Sequence, residues 1–353
     1  MSRKNTLEPR KLPVVNLNFI DLYRLVISPI KTSLLLAGIE LRVFDLLSDP
    51  RSAEDVAEIL KTHPEKTRTL LDGLAAFDLL EKKDGLYANS MMAETFLVET
   101  SPAFAGDFLC DQWRYIEPAL GDMKGIIVRG PQIEKNRDHG TDNELQSEED
   151  LARWLTAVAE YERAGMAQTV ARLISELPEF PSFRKMLDLG GGPGLIGMAV
   201  VASHSTMKGV IFDLPPVAEL AKKFVRDFGM VDRVVVLPGD ICDDPLGEGY
   251  DLIFASASLY TCKRDLDSAI EKVHAALNPG GVFASLHEGL TCEMTKPEIM
   301  KLGWLPSELR GRYLAFQRGE IRASMRRAGF VSISSRTVDC PVGPLDLDVG
   351  RKR

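Results

Sequence analysis

The stretch MLDLGGGPGLIG, Met186 to Gly197, runs an apolar strand pattern straight into a cluster of glycines. Such a join suits a β-strand ending in a tight loop that opens a helix, where α/β proteins hold adenosine cofactors. Two templates fit the same letters. Gly192, Gly194 and Gly197 satisfy G-x-G-x-x-G, the dinucleotide fingerprint, with Asp213 downstream as a ribose acid. Counted from Asp188, the loop also reads acid-x-G-x-G-x-G through Gly190, Gly192 and Gly194, a pattern that goes with a different adenosine cofactor. A glycine triad does not choose between them, so the rest of the chain must.

From Arg184 onward, strand-like and helix-like segments alternate. KMLDLG, KGVIFD, RVVVLP, YDLIFAS and GVFASLH are the strand candidates, which predicts a parallel sheet covered by helices on both faces. After the helical GEIRASMRRAGF come VSISSRTVD and LDLDVG, with no room for a helix between them. They must form a hairpin, so one of the seven strands is antiparallel. That ending belongs to the S-adenosylmethionine (SAM) methyltransferase fold rather than to a plain dinucleotide domain. Ligands of open α/β sheets sit at the carboxyl ends of the strands, and each such end here suits one part of SAM. Gly190, Gly192 and Gly194 let the backbone approach the ligand, and the helix beyond offers free N–H groups to a methionyl carboxylate. Asp213 closes the second strand, where a carboxylate can accept both ribose hydroxyls. Asp240, in LPGDICDD after the third strand, is placed to accept from the adenine amino group. A dehydrogenase would need only the first two.

Upstream, Pro29 to Leu97 reads as helical with one late strand signal. IKTSLLLAGIELRVFDLLS is expected as a single apolar-periodic helix, and SAEDVAEILKT follows with Ser52 and Asp55 as a capping-box pair. PEKTRTLLDGLAAFDLL is opened by Pro64, and Asp84-Gly85 marks a hairpin turn. Three helices and a wing make a winged helix-turn-helix. DNA binding is the obvious use, but Lys31 to Glu99 carries eight Lys/Arg against thirteen Asp/Glu, so the basic face that phosphates need is missing. A packing or dimerisation module remains. Between the halves, EKNRDHGTDNELQSEED reads as a solvated loop and LARWLTAVAEYERAGMAQTVARLISEL as one long helix. The expected domains are therefore 1–103 (winged helix), 104–177 (helical connector and acceptor-pocket wall) and 178–353 (cofactor-binding, Rossmann-like).

The 353 residues allow such a division, and 45% hydrophobic with 27% charged residues is ordinary for a globular protein. The N-terminus lacks an apolar signal core and no apolar run approaches ~18 residues, so neither export nor membrane spanning is expected. Five scattered cysteines, Cys110, Cys242, Cys262, Cys292 and Cys340, form no C-x-x-C pair. Their spacing predicts no zinc site, no disulfide framework and a reducing cytoplasm. A net charge of −8 disfavours non-specific nucleic-acid binding.

Across nearly its whole length the chain resembles the SAM-dependent O-methyltransferases of the caffeic acid and hydroxyindole type. The likeness lies in AGIELRVFDLL, LLDGLAAFDLLEKKDGLYANS, LDLGGGPG, FDLPPV, PGDICDDPL, LNPGGV and GPLDLDVGRK. It implies an N-terminal winged-helix dimerisation domain, a homodimer, and an acceptor pocket between the domains, closed partly by the partner subunit. Position by position, it implies a cofactor set of Gly190, Asp213, Leu214, Asp240, Ile241 and Ser256.

Methyl transfer from a sulfonium asks mainly for alignment in a dry pocket, and a phenol acceptor with pKa near ~10 also benefits from a general base. The family's plant members place a histidine in a His-Asp pair after the fourth strand, where this chain has Leu259-Tyr260. An LY pair there is similar to bacteriochlorophyllide C-methyltransferases and carotenoid hydroxyl methyltransferases. The family's supporting acid falls at or beside His287-Glu288, and its second acid, near Ala315, is gone. His287, with Glu288 beside it, is then the expected base, and Tyr260 the residue that positions the acceptor. His63, His139, His204 and His274 are assigned no role. Trp113, Tyr115, Trp154, Tyr161, Met166, Met294, Met300, Trp304 and Phe316 form the pool from which pocket walls are expected. The resulting expectation is a cytoplasmic, homodimeric SAM-dependent methyltransferase of a small aromatic or polycyclic metabolite, acting at oxygen. Its rivals are a C-methyltransferase of a tetrapyrrole-like ring, a SAM-binding protein without methyl transfer, a NAD-dependent oxidoreductase and a winged-helix regulator.

Overall fold

The computed structural model describes residues 15–130 and 147–353, and the chain divides after Glu99 into two units. The first begins with α1 (Ile20–Glu40). This helix starts ten residues before the expected one and stops sooner, because Arg42 adopts φ +57° and the chain doubles back. The return lays Phe44 over Gly38, where a Cβ would stand 3.0 Å from the ring, and the expected helical RVFDLLS becomes a turn with a 3₁₀ segment, Phe44–Leu46. By length and composition α1 is also apolar enough to cross a membrane, a correction to the expectation of no such run. Asp21, Arg24 and Lys31 interrupt its letters without lowering its average enough to fail that test.

Next come β1 (Arg51–Ser52), α2 (Ala53–Leu60) and α3 (Pro64–Ala75), then β2 (Leu80–Lys83), β3 (Leu86–Asn89) and α4 (Met91–Phe96). Ser52 and Asp55 form the expected capping box, and Pro64 is the first residue of α3. Asp84 and Gly85, at φ +51° and +83°, turn β2 into β3, and β1 adds on the far side to give the order β1-β3-β2. Phe44, Leu47, Leu71, Leu74 and Tyr87 form the buried centre of the unit.

The second unit opens with α5 (Gly106–Gly121) and α6 (Met123–Arg129). Most of the polar stretch expected as a loop, and His139 with it, lies outside the described residues. Its last residues instead begin α7 (Glu148–Tyr161), capped by Ser147. The expected long helix is broken: a π turn over Glu162–Met166, with Gly165 at φ +126°, separates α7 from α8 (Ala167–Ser175). Only glycine adopts that torsion without strain.

Then follow β4 (Lys185–Leu189), α9 (Leu195–Ala202), β5 (Lys208–Asp213), α10 (Pro215–Asp227) and β6 (Val234–Pro238). β7 (Tyr250–Ser256), α11 (Leu266–Ala276), β8 (Leu277–His287), α12 (Glu298–Leu309), α13 (Glu320–Arg327), β9 (Val331–Cys340) and β10 (Gly343–Arg351) complete the chain. The sheet order is β6-β5-β4-β7-β8-β10-β9, with β10 antiparallel to both neighbours, the mainly parallel seven-stranded α/β sheet expected. Alternate residues of β4 feed two cores. Met186 packs with Val170, Ile174 and Val201 on one face, while Leu187 and Leu189 pack with Ile253, Ile270 and Phe283 on the other. Covering both faces is why the strands read as unbroken apolar runs. From β4 the sheet grows towards β5 on one side and β7 on the other, so the crevice for a ligand opens at the carboxyl ends of β4 and β7.

Candidate active site

The glycine loop sits at that switch point. Gly190, Gly192 and Gly194 all have positive φ, at +70°, +54° and +83°. A Cβ on Gly190 would lie 2.4 Å from Ser258 Cβ and 2.9 Å from Ile241 Cδ1, so the loop is pressed against the segments after β6 and β7. Gly192 is different. A Cβ there would meet nothing nearer than Leu155 and Val158 at 3.9 Å, ordinary van der Waals contact, so the loop is not pressed at this point.

Three acids surround this loop. Asp213, at the end of β5, accepts from Gly192 N at 2.8 Å and from Leu214 N at 2.8 Å. Asp188 is turned beneath the loop, where Oδ2 accepts from Gly197 N at 2.9 Å, and burial pushes its carboxyl up to about 7. Glu162, from the π turn, accepts from Leu195 N at 2.9 Å and Ile196 N at 3.3 Å through one oxygen. Burial first, and the Asp188 charge second, hold Glu162 well above the usual carboxylate range. The first turn of α9, expected to be free for a ligand carboxylate, is therefore taken by a side chain. A pyrophosphate in the dinucleotide manner would have to face that carboxylate, and the dinucleotide template loses its anion site. Glu162 was not singled out from the sequence; two acids just ahead of Gly165 were the only signal.

The remaining cofactor candidates lie around the same crevice. Asp240 Oδ1 accepts from Cys242 N at 2.7 Å, and Lys272 Nζ holds the Ile241 carbonyl at 2.8 Å. Ser256 is half-buried at the end of β7, paired with Leu286. Two residues on, Ser258 binds the Leu189 carbonyl at 2.7 Å and so ties this turn to β4, a link the sequence did not reveal.

Beside β7 and β8 lies a second cluster. The Tyr260 hydroxyl donates to Glu288 Oε2, and Phe316 N donates to Oε1 at 2.9 Å. Glu288 is buried, which raises its carboxyl despite these two bonds. Burial and the Glu288 charge hold the Tyr260 phenol well above 10. Its ring stacks on Phe316 at 5.5 Å and meets the edge of Trp304 at 4.6 Å. His287 is committed elsewhere. Its Nε2 accepts from Ser258 N and Leu259 N, both at 3.2 Å, and Nδ1 meets Ser285 Oγ at 2.9 Å. Fully buried, its imidazole is pushed down to about 3. Nε2 holds the turn after β7 and Nδ1 is engaged by Ser285 within β8, so neither nitrogen is free to take a proton from an acceptor.

Of the expected pocket walls, Trp304 and Phe316 join Tyr260, whereas Met166 belongs to the core under β4. Tyr161 stacks on Phe108 at 5.2 Å, Met300 packs against the same core, and the Arg310 guanidinium lies over the Tyr115 ring at 4.7 Å. Trp113, Trp154 and Met294 are half-buried. His204 accepts from Thr206 N and Met207 N, and His274 meets the edge of Phe330. His63 precedes α3. The expectation of unpaired cysteines is corrected: Cys242 and Cys262 are joined as a disulfide, with Cα atoms 5.5 Å apart. The sheet brings the loop after β6 beside the turn after β7, a proximity that a spacing of twenty residues conceals. Cys110, Cys292 and Cys340 take no part in that disulfide. Among the described residues no cluster of His, Cys, Asp and Glu could hold a metal ion.

Known proteins share this architecture. Residues 24–99 match the family model of the O-methyltransferase dimerisation domain and residues 141–297 that of the O-methyltransferase domain. Among curated relatives, the N,N-dimethyltransferase OxyT of Streptomyces rimosus is 26% identical over 87% of this chain and 89% of its own. The tetracenomycin polyketide synthesis 8-O-methyl transferase TcmO of Streptomyces glaucescens is 25% identical over 94% and 96%. The human N-acetylserotonin methyltransferase, solved in complex with SAM, superposes with a TM-score of 0.78 over 96% of this chain and 99% of its own at 21% identity. With both family models in chain order, covering well over half the residues, the chain belongs to the O-methyltransferase family and is a SAM-dependent methyltransferase.

Proposed function

We propose that the protein methylates a hydroxyl on a flat aromatic or polycyclic metabolite, and that the half-buried Tyr260, paired with the buried Glu288, takes the acceptor's proton. The supporting observation is that pair, set among Phe316 and Trp304 and sharing the crevice side of the sheet with the glycine loop. The name of TcmO, a polyketide O-methyl transferase, points to the same acceptor class.

The residues present fit SAM. The uncrowded backbone at Gly192, without a Cβ, suits close approach of a ligand, and the Asp213 and Asp240 carboxylates suit ribose hydroxyls and an adenine amino group. Leu214, Ile241 and Ser256 line the same loops, while Gly194 and Asp188 shape the glycine loop. When bound, SAM supplies a methyl group on a positively charged sulfur. The chain's part is alignment, exclusion of water and removal of one proton. In that last step Tyr260 passes its proton to Glu288 as it accepts one from the acceptor hydroxyl. His287 contributes by holding Ser258 and Leu259, as a positioning residue.

Calorimetry against S-adenosylhomocysteine tests the cofactor assignment. Wild-type protein is expected to bind, and Asp213→Ala to bind about 10- to 100-fold more weakly through loss of charged hydrogen bonds. Equal affinities would overturn it.

Residues 104–177 are proposed as the acceptor-side wall, and the N-terminal unit as a homodimer interface rather than a nucleic-acid or membrane surface. Leu22, Leu25, Val26 and Ile30 of α1 are more than half exposed, a patch that a partner subunit would cover. Ion pairs such as Arg68–Glu54 and Lys82–Asp72 occupy bases that could have met phosphates. Light scattering is expected to report a dimer at micromolar concentration, and Leu25→Lys with Val26→Lys to shift it towards monomer. A wild-type monomer, or a wild type sedimenting with lipid vesicles, would refute the assignment. A cytoplasmic site of action, where SAM is available, goes with this reading.

A further inference from the structure

We infer that Glu162 is the specificity residue for the methionyl end of the cofactor, its free carboxylate oxygen receiving the α-ammonium group. The inference rests on the SAM site proposed above. Glu162 is 4% exposed, yet only Oε2 is engaged, by Leu195 N and Ile196 N. No hydrogen bond to Oε1 is formed among the described residues, so this oxygen is left over for a donor that a ligand brings.

The charge around it points to the sign of that ligand. Asp188 and Asp213 stand near enough to Glu162 to act on it electrostatically, and none of the three forms an ion pair among the described residues. Burial raises all three carboxyls, and a cation placed among them would favour their charged forms again. The adenosyl end of SAM is neutral, so the α-ammonium and the sulfonium are the cations available. An anionic group on the same turn would instead meet Glu162 head on.

The backbone has been altered to put the residue there. A regular helix from α7 into α8 would continue through Glu162, but the π turn and Gly165 break it at that point. Such bulges mark places where a helix gives up regularity to aim a side chain.

The test is binding by calorimetry of two ligands that differ in one group: S-adenosylhomocysteine and its deamino analogue, which lacks only the α-amino nitrogen. Wild-type protein is expected to prefer S-adenosylhomocysteine by about 10- to 100-fold, the worth of a hydrogen bond between charged groups. Glu162→Gln should weaken S-adenosylhomocysteine by a similar factor, leave the analogue almost unchanged, and so erase the preference. A variant that weakens both ligands equally, or neither, would show Glu162 to be only a helix cap and overturn the inference. Should Glu162→Gln fail to fold, the wild type still decides, because equal affinity for the two ligands overturns it too. If wild-type protein binds neither ligand, the cofactor site itself is wrong, a result distinct from loss of preference.

Discussion

Glu288→Gln is expected to lower kcat by ~10²–10⁴-fold while leaving affinity for S-adenosylhomocysteine unchanged, because it removes a base and not a cofactor contact. Tyr260→Phe should fall in the same range, since the Tyr260 hydroxyl is the side-chain donor that reaches Glu288 Oε2. The pH dependence follows from the raised carboxyl. Glu288 must be ionised to receive the proton, so activity should rise with pH through a value above the usual ~4.3 and be lost below it. His287, pushed down to about 3, adds no step near neutrality. His287→Ala should instead disturb the turn that carries Ser258, lowering stability and cofactor affinity together. Steady-state rates of the three variants against pH, with any accepted phenol, check these statements. A single step near ~6.5 that vanishes in His287→Ala would restore the histidine as base, and a flat profile unaffected by Glu288→Gln would indicate a carbon or pre-ionised acceptor.

Gly190→Ala is the second large effect. At φ +70° an alanine carries a penalty of roughly 1–2 kcal/mol from backbone torsion alone. Its Cβ would also stand 2.4 Å from Ser258 Cβ, closer than atoms can approach, so the loop or the turn after β7 must move. Displacing either by about an ångström should lower kcat/KM by about 10²-fold. The clash is specific. Gly192→Ala makes only ordinary contact, with Leu155 and Val158 at 3.9 Å, and costs torsion and close ligand approach, so it should weaken cofactor binding with less loss of melting temperature. Thermal melts of both variants, with and without S-adenosylhomocysteine, separate the two. Identical behaviour would mean the loop is not pinned by Ser258.

Much of this was legible in the letters, for reasons that can be named. A strand buried on both faces has to be apolar throughout, so KGVIFD and YDLIFAS announce β5 and β7 directly. The positions of Asp213 and Asp240 after their strands could be read because a strand's end is fixed by its own apolar run. The surroundings of His287 could not, because they depend on partners distant in sequence: Ser258 N and Leu259 N, 29 and 28 residues away, donate to it. The disulfide escaped for the same reason, since β7 lies between its two cysteines. The break at Glu162 was hidden in a pattern that remains amphipathic on either side. Periodicity reports which face of a helix is buried, not whether a neighbour's first turn needs a carboxylate.

That break has a mechanical side. Glu160, two residues before Glu162, is also buried and accepts from Phe108 N in the first turn of α5 at 3.1 Å. The α7–α8 junction thus grips the starts of two separate helices, one beneath the glycine loop and one leading into the connector. The two grips stand on carboxylates only two residues apart in the chain, just ahead of the break at Gly165. A substitution at either is therefore expected to loosen both helix starts at once.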